Sequence, residues 1–234
     1  MLEVKGLVLS RGGKEVLHGV DLVARPGEIT ALVGANGAGK SSLVMGIAGE
    51  LPASHGSVTV DGRPLTGMRP EEVRRHGVAT VPEGHRVLGG LSVLDNLRVA
   101  ANHRPAAEVA AAIDGVLEIL PELQSKLADP GRSLSGGQKQ MVAVAQALLA
   151  QPKYLIVDEL SLGLAPLVVR RLADLLKSVA GQGTGVLLIE QFTTMALAMA
   201  SQANVLVRGR MAWSGSAEEL TAHPEVLERS YLGA

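Results

Sequence analysis

Three clusters of residues in this chain have types and spacing suited to phosphate chemistry. The first, Gly34-Ala35-Asn36-Gly37-Ala38-Gly39-Lys40-Ser41, satisfies the pattern G-x-x-x-x-G-K-[ST] in full. Its glycines let backbone N–H groups converge on phosphate oxygens without a side-chain clash. A helix starting at Lys40 would point its positive N-terminal end there. The Lys40 ammonium would then serve the β- and γ-phosphates and the Ser41 hydroxyl a Mg²⁺ ion. Gly34, Asn36, Gly37, Gly39, Lys40, Ser41 and Ser42 are therefore the candidate nucleotide-binding positions. An ordinary glycine-rich turn is the competing reading, and the motif is silent on what hydrolysis drives.

The second cluster is the apolar run Tyr154-Leu155-Ile156-Val157 ending in Asp158-Glu159. From the end of a strand Asp158 can reach Mg²⁺ through water. Glu159 falls on the opposite face by strand alternation and can polarise a water that attacks a γ-phosphate. Taken alone, two acids closing a strand are a solvated pair; beside a complete phosphate loop the chemical reading gains.

The third cluster is Leu134-Ser135-Gly136-Gly137-Gln138. Ser135 as N-cap with Gln138 three residues on forms a capping box, the bland reading. A glycine-rich helix start with a serine hydroxyl also suits a γ-phosphate. One helix end can do both.

These residues need elements to position them. Strand patterns occupy 4–9, 15–24, 29–33, 57–60, 77–82, 154–157 and 186–189, with a small hairpin over 204–213. Asp61-Gly62 signals a tight turn. Helical patterns cover 40–51, a short charged stretch from Pro70, 106–120 and 166–180, with a capping-box start at Ser216. Strands alternating with helices predict an α/β fold whose largely parallel sheet is covered on both faces. From about 84 to 150 the texture turns helical, as a lobe inserted into that core.

Composition narrows the classes. A length of 234 residues fits one large domain or two small lobes. Net charge is −1 and aromatics are 2% of the chain, which disfavours a surface for nucleic acid. The absence of cysteine excludes disulfides, thiolate zinc sites and cysteine nucleophiles, and suits a reducing compartment. No apolar run approaches about 18 residues, and MLEVKGLVLS lacks a signal-peptide layout, so a soluble, globular, non-secreted protein is expected. The six histidines show no metal-ligand spacing. The alanine-rich stretch from Ala106 reads as helical core, not as a membrane-surface stripe.

Together the three clusters resemble the ATP-binding subunit of ABC transporters over nearly the whole chain. The resemblance implies a P-loop NTPase (RecA-like) core with a small antiparallel β subdomain and an inserted helical subdomain. It divides a single domain into core at about 1–83 and 151–234 and helical subdomain at about 84–150. ATP and Mg²⁺ are the implied ligands, and ATP hydrolysis coupled to transport the implied activity. Ser135, Gly136, Gly137 and Gln138 would face ATP held by the phosphate loop of a second cassette, packed head to tail as a homo- or heterodimer. Integral membrane permease subunits, and indirectly an extracytoplasmic solute-binding protein, are the other implied partners. The implied location is the cytoplasmic face of the membrane, with no nucleic-acid partner.

The finer match is to the branched-chain amino acid uptake subgroup, through Val81-Pro82-Glu83-Gly84, Asp158 to Pro166, Ile189-Glu190-Gln191 and Tyr231-Leu232-Gly233. Glu83 stands where most of the superfamily has the glutamine of the Q-loop, and the resemblance makes it a nucleotide and metal contact. Gln191 stands where the switch histidine touches the γ-phosphate, and is implied to be catalytic. It can donate an amide hydrogen bond but cannot titrate near pH 7.

Other positions depart from the family pattern. No aromatic residue stands near the first turn to stack on adenine. Arg11 replaces it and Val16 lies close by, both candidate nucleotide contacts; a solvated turn arginine is the competing reading. Leu160 stands where proline is usual, and Gln146 where arginine is expected. Arg86 to Leu91 exposes aliphatics where the family receives a permease coupling helix, with core packing as the alternative. The competing functions are a urea or short-amide importer, a soluble non-transport ABC ATPase, and an ATP-binding regulatory module with little turnover.

Overall fold

The computed structural model describes residues 1–84, 86–191 and 193–227. The chain opens with β1 (Leu2–Arg11) and β2 (Lys14–Ala24), joined by Gly12-Gly13 with φ of 59° and 78°. Then come β3 (Ile29–Val33), a loop, and α1 (Lys40–Ile47). β4 (Ala53–Val60) and β5 (Arg63–Pro64) meet at Asp61-Gly62, with φ of 51° and 78°, the positive values a two-residue primed turn needs. α2 (Pro70–Arg75) and β6 (Val78–Val81) follow. Next are α3 (Val93–Ala100), α4 (Ala106–Ile119), short 3₁₀ turns at Pro121–Lys126 and Gly131–Ser133, and α5 (Gly136–Leu148). The last part holds β7 (Tyr154–Asp158), α6 (Pro166–Gly181), β8 (Gly185–Glu190), α7 (Thr193–Met199), β9 (Gln202–Val207), β10 (Arg210–Ser216) and α8 (Ala217–Ala222).

Two sheets result. β2-β1-β4-β5 is antiparallel, and β10-β9-β3-β8-β7-β6 is parallel apart from its β10 edge. Period-two alternation divides the apolar residues of the second sheet between two cores. Ile29, Ala31, Val33, Leu155, Val157, Val186 and Leu188 join one that continues into α3 to α6. Leu32, Ile156, Leu187 and Ile189 join the other, with β1, β2, β4 and α1. The sheet is thus covered on both faces as expected, the second face by α1 and the antiparallel sheet. Each fully buried leucine contributes about 1.5–3 kcal/mol relative to exposure, so these faces fix the strand register.

Three details differ from expectation. α1 stops at Ile47 and not near Leu51, because Gly49 adopts φ 76° and a Cβ there would lie 2.4 Å from the Met68 carbonyl oxygen. β4 begins at Ala53, where Ala53 pairs with Leu9 and the polar His55 with Val8 of β1. α7 carried no helix signal in the sequence. The match at Tyr231-Leu232-Gly233 lies outside the described residues, as does His85.

Because β3, β8, β7 and β6 run parallel, their C-terminal ends share one rim. The glycine-rich loop, Glu190-Gln191, Asp158-Glu159 and Glu83 all emerge there. Open α/β sheets bind ligands at such a rim.

Candidate functional site

The loop from Gly34 to Gly39 delivers the chain into α1, with Gly39 at φ 109° as its N-cap. The glycines serve different ends. A Cβ on Gly34 would lie 2.3 Å from the Leu206 carbonyl oxygen on β9, and one on Gly39 2.8 Å from Leu17 on β2. Those two are needed for packing against the protein itself. Gly37, at φ 79°, has open space around it, and with exposed Asn36 it leaves backbone groups accessible to a ligand. A tie that the sequence did not signal closes behind the loop: Gly209 N–H donates to the Ala38 carbonyl at 2.8 Å, and His18 N–H to the Gly209 carbonyl at 2.9 Å. The Arg208-Gly209 turn, at φ of 46° and 76°, thereby ties β2 to the loop.

Lys40 is buried, and its Nζ donates to the carbonyls of Gly34 at 2.8 Å and Ala35 at 3.2 Å. Ser42 is buried one turn into the same helix. Ser41 faces the second cluster, its hydroxyl close enough to the Asp158 carboxyl to favour the charged form. Burial first, then the charges of Glu159 and Glu83, against the opposing Ser41 hydroxyl and Lys40, leave the Asp158 carboxyl pushed up to about 6. Asp158 Oδ1 is buried without a hydrogen-bond partner. An orphaned carboxylate oxygen beside two further acids and a serine hydroxyl fits a divalent cation. Among the described residues no three or more His, Cys, Asp or Glu side chains converge on a metal site. Mg²⁺ takes one or two protein ligands and fills its shell with water and phosphate oxygens.

Glu159 is half-buried at φ 55°, and its N–H donates to the Ile189 carbonyl at 2.9 Å. Glu83 is exposed in the turn after β6, close enough for its charge to act on Asp158. Gln191 is half-buried just past β8. Leu160 is fully buried in the core shared with α5 and α6, so its side chain is used for packing.

Ser135 caps α5, accepting from Gln138 N–H at 3.3 Å while Gln138 Oε1 accepts from Ser135 N–H at 2.9 Å, the expected capping box. Ser135 and Gly136 are exposed, so the capped helix end also faces outward. Gly137 is buried, and a Cβ there would lie 2.8 Å from Val168 Cγ1 on α6. Its absent side chain brings the start of α5 onto α6. Arg11 is exposed at the β1–β2 turn, the setting of a solvated arginine, whereas the Val16 carbonyl lies 3.1 Å from where a Gly39 Cβ would stand. Val16 is therefore beside the phosphate loop.

Away from the rim, a groove of about 600 Å³ runs between α2 and α3 and is lined by Pro70, Arg74, Arg86, Leu88, Val99 and Gln146, among others. Leu88, Leu91 and Val99 are exposed aliphatics on or beside it. Its wall is set by Asn96, which sequence reasoning missed. Asn96 is fully buried; its Oδ1 accepts from Leu88 N–H at 2.8 Å and its Nδ2 donates to the carbonyls of Leu88 at 3.0 Å and Ser92 at 2.9 Å. Gln146 Nε2 donates to the Asn96 carbonyl at 3.3 Å, tying α5 to α3. An amide on the apolar face of α3 was the available signal.

No helix among the described residues is long and apolar enough to cross a membrane. The family model described as ABC transporter matches residues 17–161, more than half of the chain. The chain is 36% identical over 222 residues to a high-affinity branched-chain amino acid transport ATP-binding protein, BraG, of Pseudomonas aeruginosa, covering 95% of each. It is 36% identical over 228 residues to a probable branched-chain amino acid transport ATP-binding protein, LivF, of Archaeoglobus fulgidus, covering 96% of each. Among solved structures, an ATP-binding subunit of an ABC transporter superposes at TM-score 0.85 with 29% identity, covering 100% of this chain and 98% of that one. A dimeric bacterial ABC transporter cassette superposes at TM-score 0.82 with 20% identity, covering 93% of this chain and 99% of that one, a likeness of fold. With a phosphate loop, a paired acid and a capped glycine-rich helix on one P-loop NTPase frame, this chain belongs to the ATP-binding cassettes of ABC transporters, which hydrolyse ATP to power transport.

Proposed function

We propose that this cassette energises the import of branched-chain or chemically related amino acids through separate permease subunits, from the cytoplasmic face of the membrane. The observation that carries the ATPase chemistry is the juxtaposition of Lys40, Ser41 and a buried Asp158 with an orphaned oxygen, beside Glu159. The choice of solute rests on the two relatives named for branched-chain amino acid transport.

In this reading the amides of residues 34–39 and the Lys40 ammonium bind the triphosphate. Ser41 and Asp158, with Glu83 nearby, would hold Mg²⁺, which when bound would neutralise phosphate charge. Glu159 accepts the proton of the attacking water, and Gln191 donates an amide hydrogen bond toward the γ-phosphate. Val16 lines the nucleotide; Arg11 is left to solvent unless ATP draws it in. Ser135, Gly136, Gly137 and Gln138 complete the site of a second cassette, and that cassette completes this one. The helical subdomain, about 84–150, then moves with the γ-phosphate against the core, about 1–83 and 151–234. The groove beneath Leu88, Leu91 and Val99 receives the permease and passes that motion on.

ATP-dependent leucine uptake by the cassette reconstituted with its permease subunits is the test. ATP turnover without leucine uptake, with urea or a short amide carried instead, would replace the solute while keeping the engine.

A further inference from the structure

Glu190 closes β8 and is only 1% exposed, yet no step above uses it. Its Oε1 accepts from Ser161 N–H at 3.0 Å and its Oε2 from the Ser161 hydroxyl at 2.9 Å. Burial pushes its carboxyl upward and so does the charge of Glu159, while the two Ser161 bonds and the Leu160 amide hold it down. A buried carboxylate without such donors would be costly, so the pairing with this turn is obligatory.

The turn in question begins at Glu159. Glu159 sits at φ 55°, a left-handed backbone that is unfavourable for a residue carrying a Cβ. Such a conformation persists only where the surroundings impose it. Here the constraints come from two consecutive residues of β8: the Ile189 carbonyl takes Glu159 N–H, and the Glu190 carboxylate takes Ser161. The buried Leu160 side chain fills the position between.

We propose that Glu190 is a positioning residue for Glu159: its carboxylate clamps Ser161 and thereby fixes the left-handed backbone from which Glu159 addresses water. The proposal rests on Glu159 as the water-directing group. Because Gln191 follows Glu190 directly, the residue facing the γ-phosphate and the residue facing the water share one support.

The test is steady-state ATP turnover of the full chain in its transporter complex, with kcat and KM separated. Glu190→Ala is expected to lower kcat on the order of tenfold to a hundredfold, the scale of a misplaced catalytic group, with KM for ATP within about twofold. Glu190→Gln should recover most of that loss, since its Oε1 can accept from Ser161 N–H while its Nε2 donates to the Ser161 hydroxyl oxygen. Ser161→Ala should lower kcat by a smaller factor and add nothing on top of Glu190→Ala, as coupled neighbours do. Parent kcat in Glu190→Ala, a Gln variant as impaired as the Ala variant, or additive effects would overturn the clamp. Should Glu190→Ala fail to fold, Ser161→Ala decides: parent kcat there overturns it. Glu159→Gln measured alongside separates the two claims. Full turnover in Glu159→Gln removes the water-directing role itself, whereas an inactive Glu159→Gln beside an unimpaired Glu190→Ala removes the clamp alone.

Discussion

The Lys40 ammonium lies 2.8 Å from the Gly34 carbonyl oxygen, so the cation is held by dipoles of the loop it serves. Phosphate oxygens carry full charge and make stronger, charge-assisted bonds. Replacing Lys40 by Ala should weaken ATP binding about tenfold to a hundredfold, the range set by about 1.5–3 kcal/mol for a hydrogen bond to a charged group. Titration calorimetry with ATP and Mg²⁺ measures this, and unchanged affinity would sink the assignment of the phosphate loop.

Glu159→Gln keeps the shape and removes the carboxylate proposed to accept the water's proton. Turnover should fall on the order of 10²–10⁴-fold while ATP binding is kept, as for loss of a general base. The uncleaved nucleotide should then hold two cassettes together, seen as an ATP-dependent dimer by size exclusion. Hydrolysis at the parent rate would exclude Glu159 as the base.

Gly137→Ala puts a methyl group 2.8 Å from Val168 Cγ1 at the buried start of α5. Overpacking of this kind should destabilise the chain by about 1–3 kcal/mol, read from urea denaturation. Adding Val168→Ala should restore most of it. Full stability in the single variant would show that α5 and α6 slide apart without strain.

Asn96→Ala breaks the bonds that hold Leu88 and Ser92 in the groove wall. The loss should be about 1–3 kcal/mol, because the Leu88 N–H is left unpaired while its carbonyl keeps only the Leu91 N–H. ATP affinity should not change, whereas stimulation of turnover by the permease should drop. Equal stimulation in variant and parent would detach this wall from permease docking.

Asp61 is held at about 2 by the Lys153 hydrogen bond and then by the N-terminal ammonium. Its folded pKa lies below its unfolded one, so it contributes stability above pH ~4 that is lost as pH falls toward 2. The group is largely solvent-exposed, so the contribution is about 0.5–1 kcal/mol. The gap in urea midpoint between the parent and Asp61→Asn should therefore narrow from pH 5 to pH 3. A constant gap would assign the effect to the turn geometry.

Legibility in the sequence followed burial. β3 could be read at its observed bounds because all five of its residues are apolar or buried, and the phosphate loop needed only its spacing. Apolar periodicity runs on past Gly49 and predicts a longer α1 than forms, because that glycine's steric setting is tertiary. Glu190 and Asn96 were unreadable as structural residues for one reason. A buried polar group is defined by its partners in the fold, Ser161 for the one and the Leu88 loop with Gln146 for the other, and the hydropathy pattern does not reveal them. The family resemblance covered Glu190 only as part of a lineage match.

The strand order also bears on biosynthesis. β3, with the phosphate loop, and β7, with Asp158, do not pair with each other; β8 lies between them although it is made after both. A growing chain that has released β3, α1 and β7 from the ribosome still lacks the strand that sets their spacing. Insertion of a central parallel strand is slow, non-local pairing. A nascent chain between about 160 and 190 residues thus has the phosphate loop, the capped helix and the paired acids but not the strand that spaces them, and ATP can act as a folding ligand only once β8 has been made.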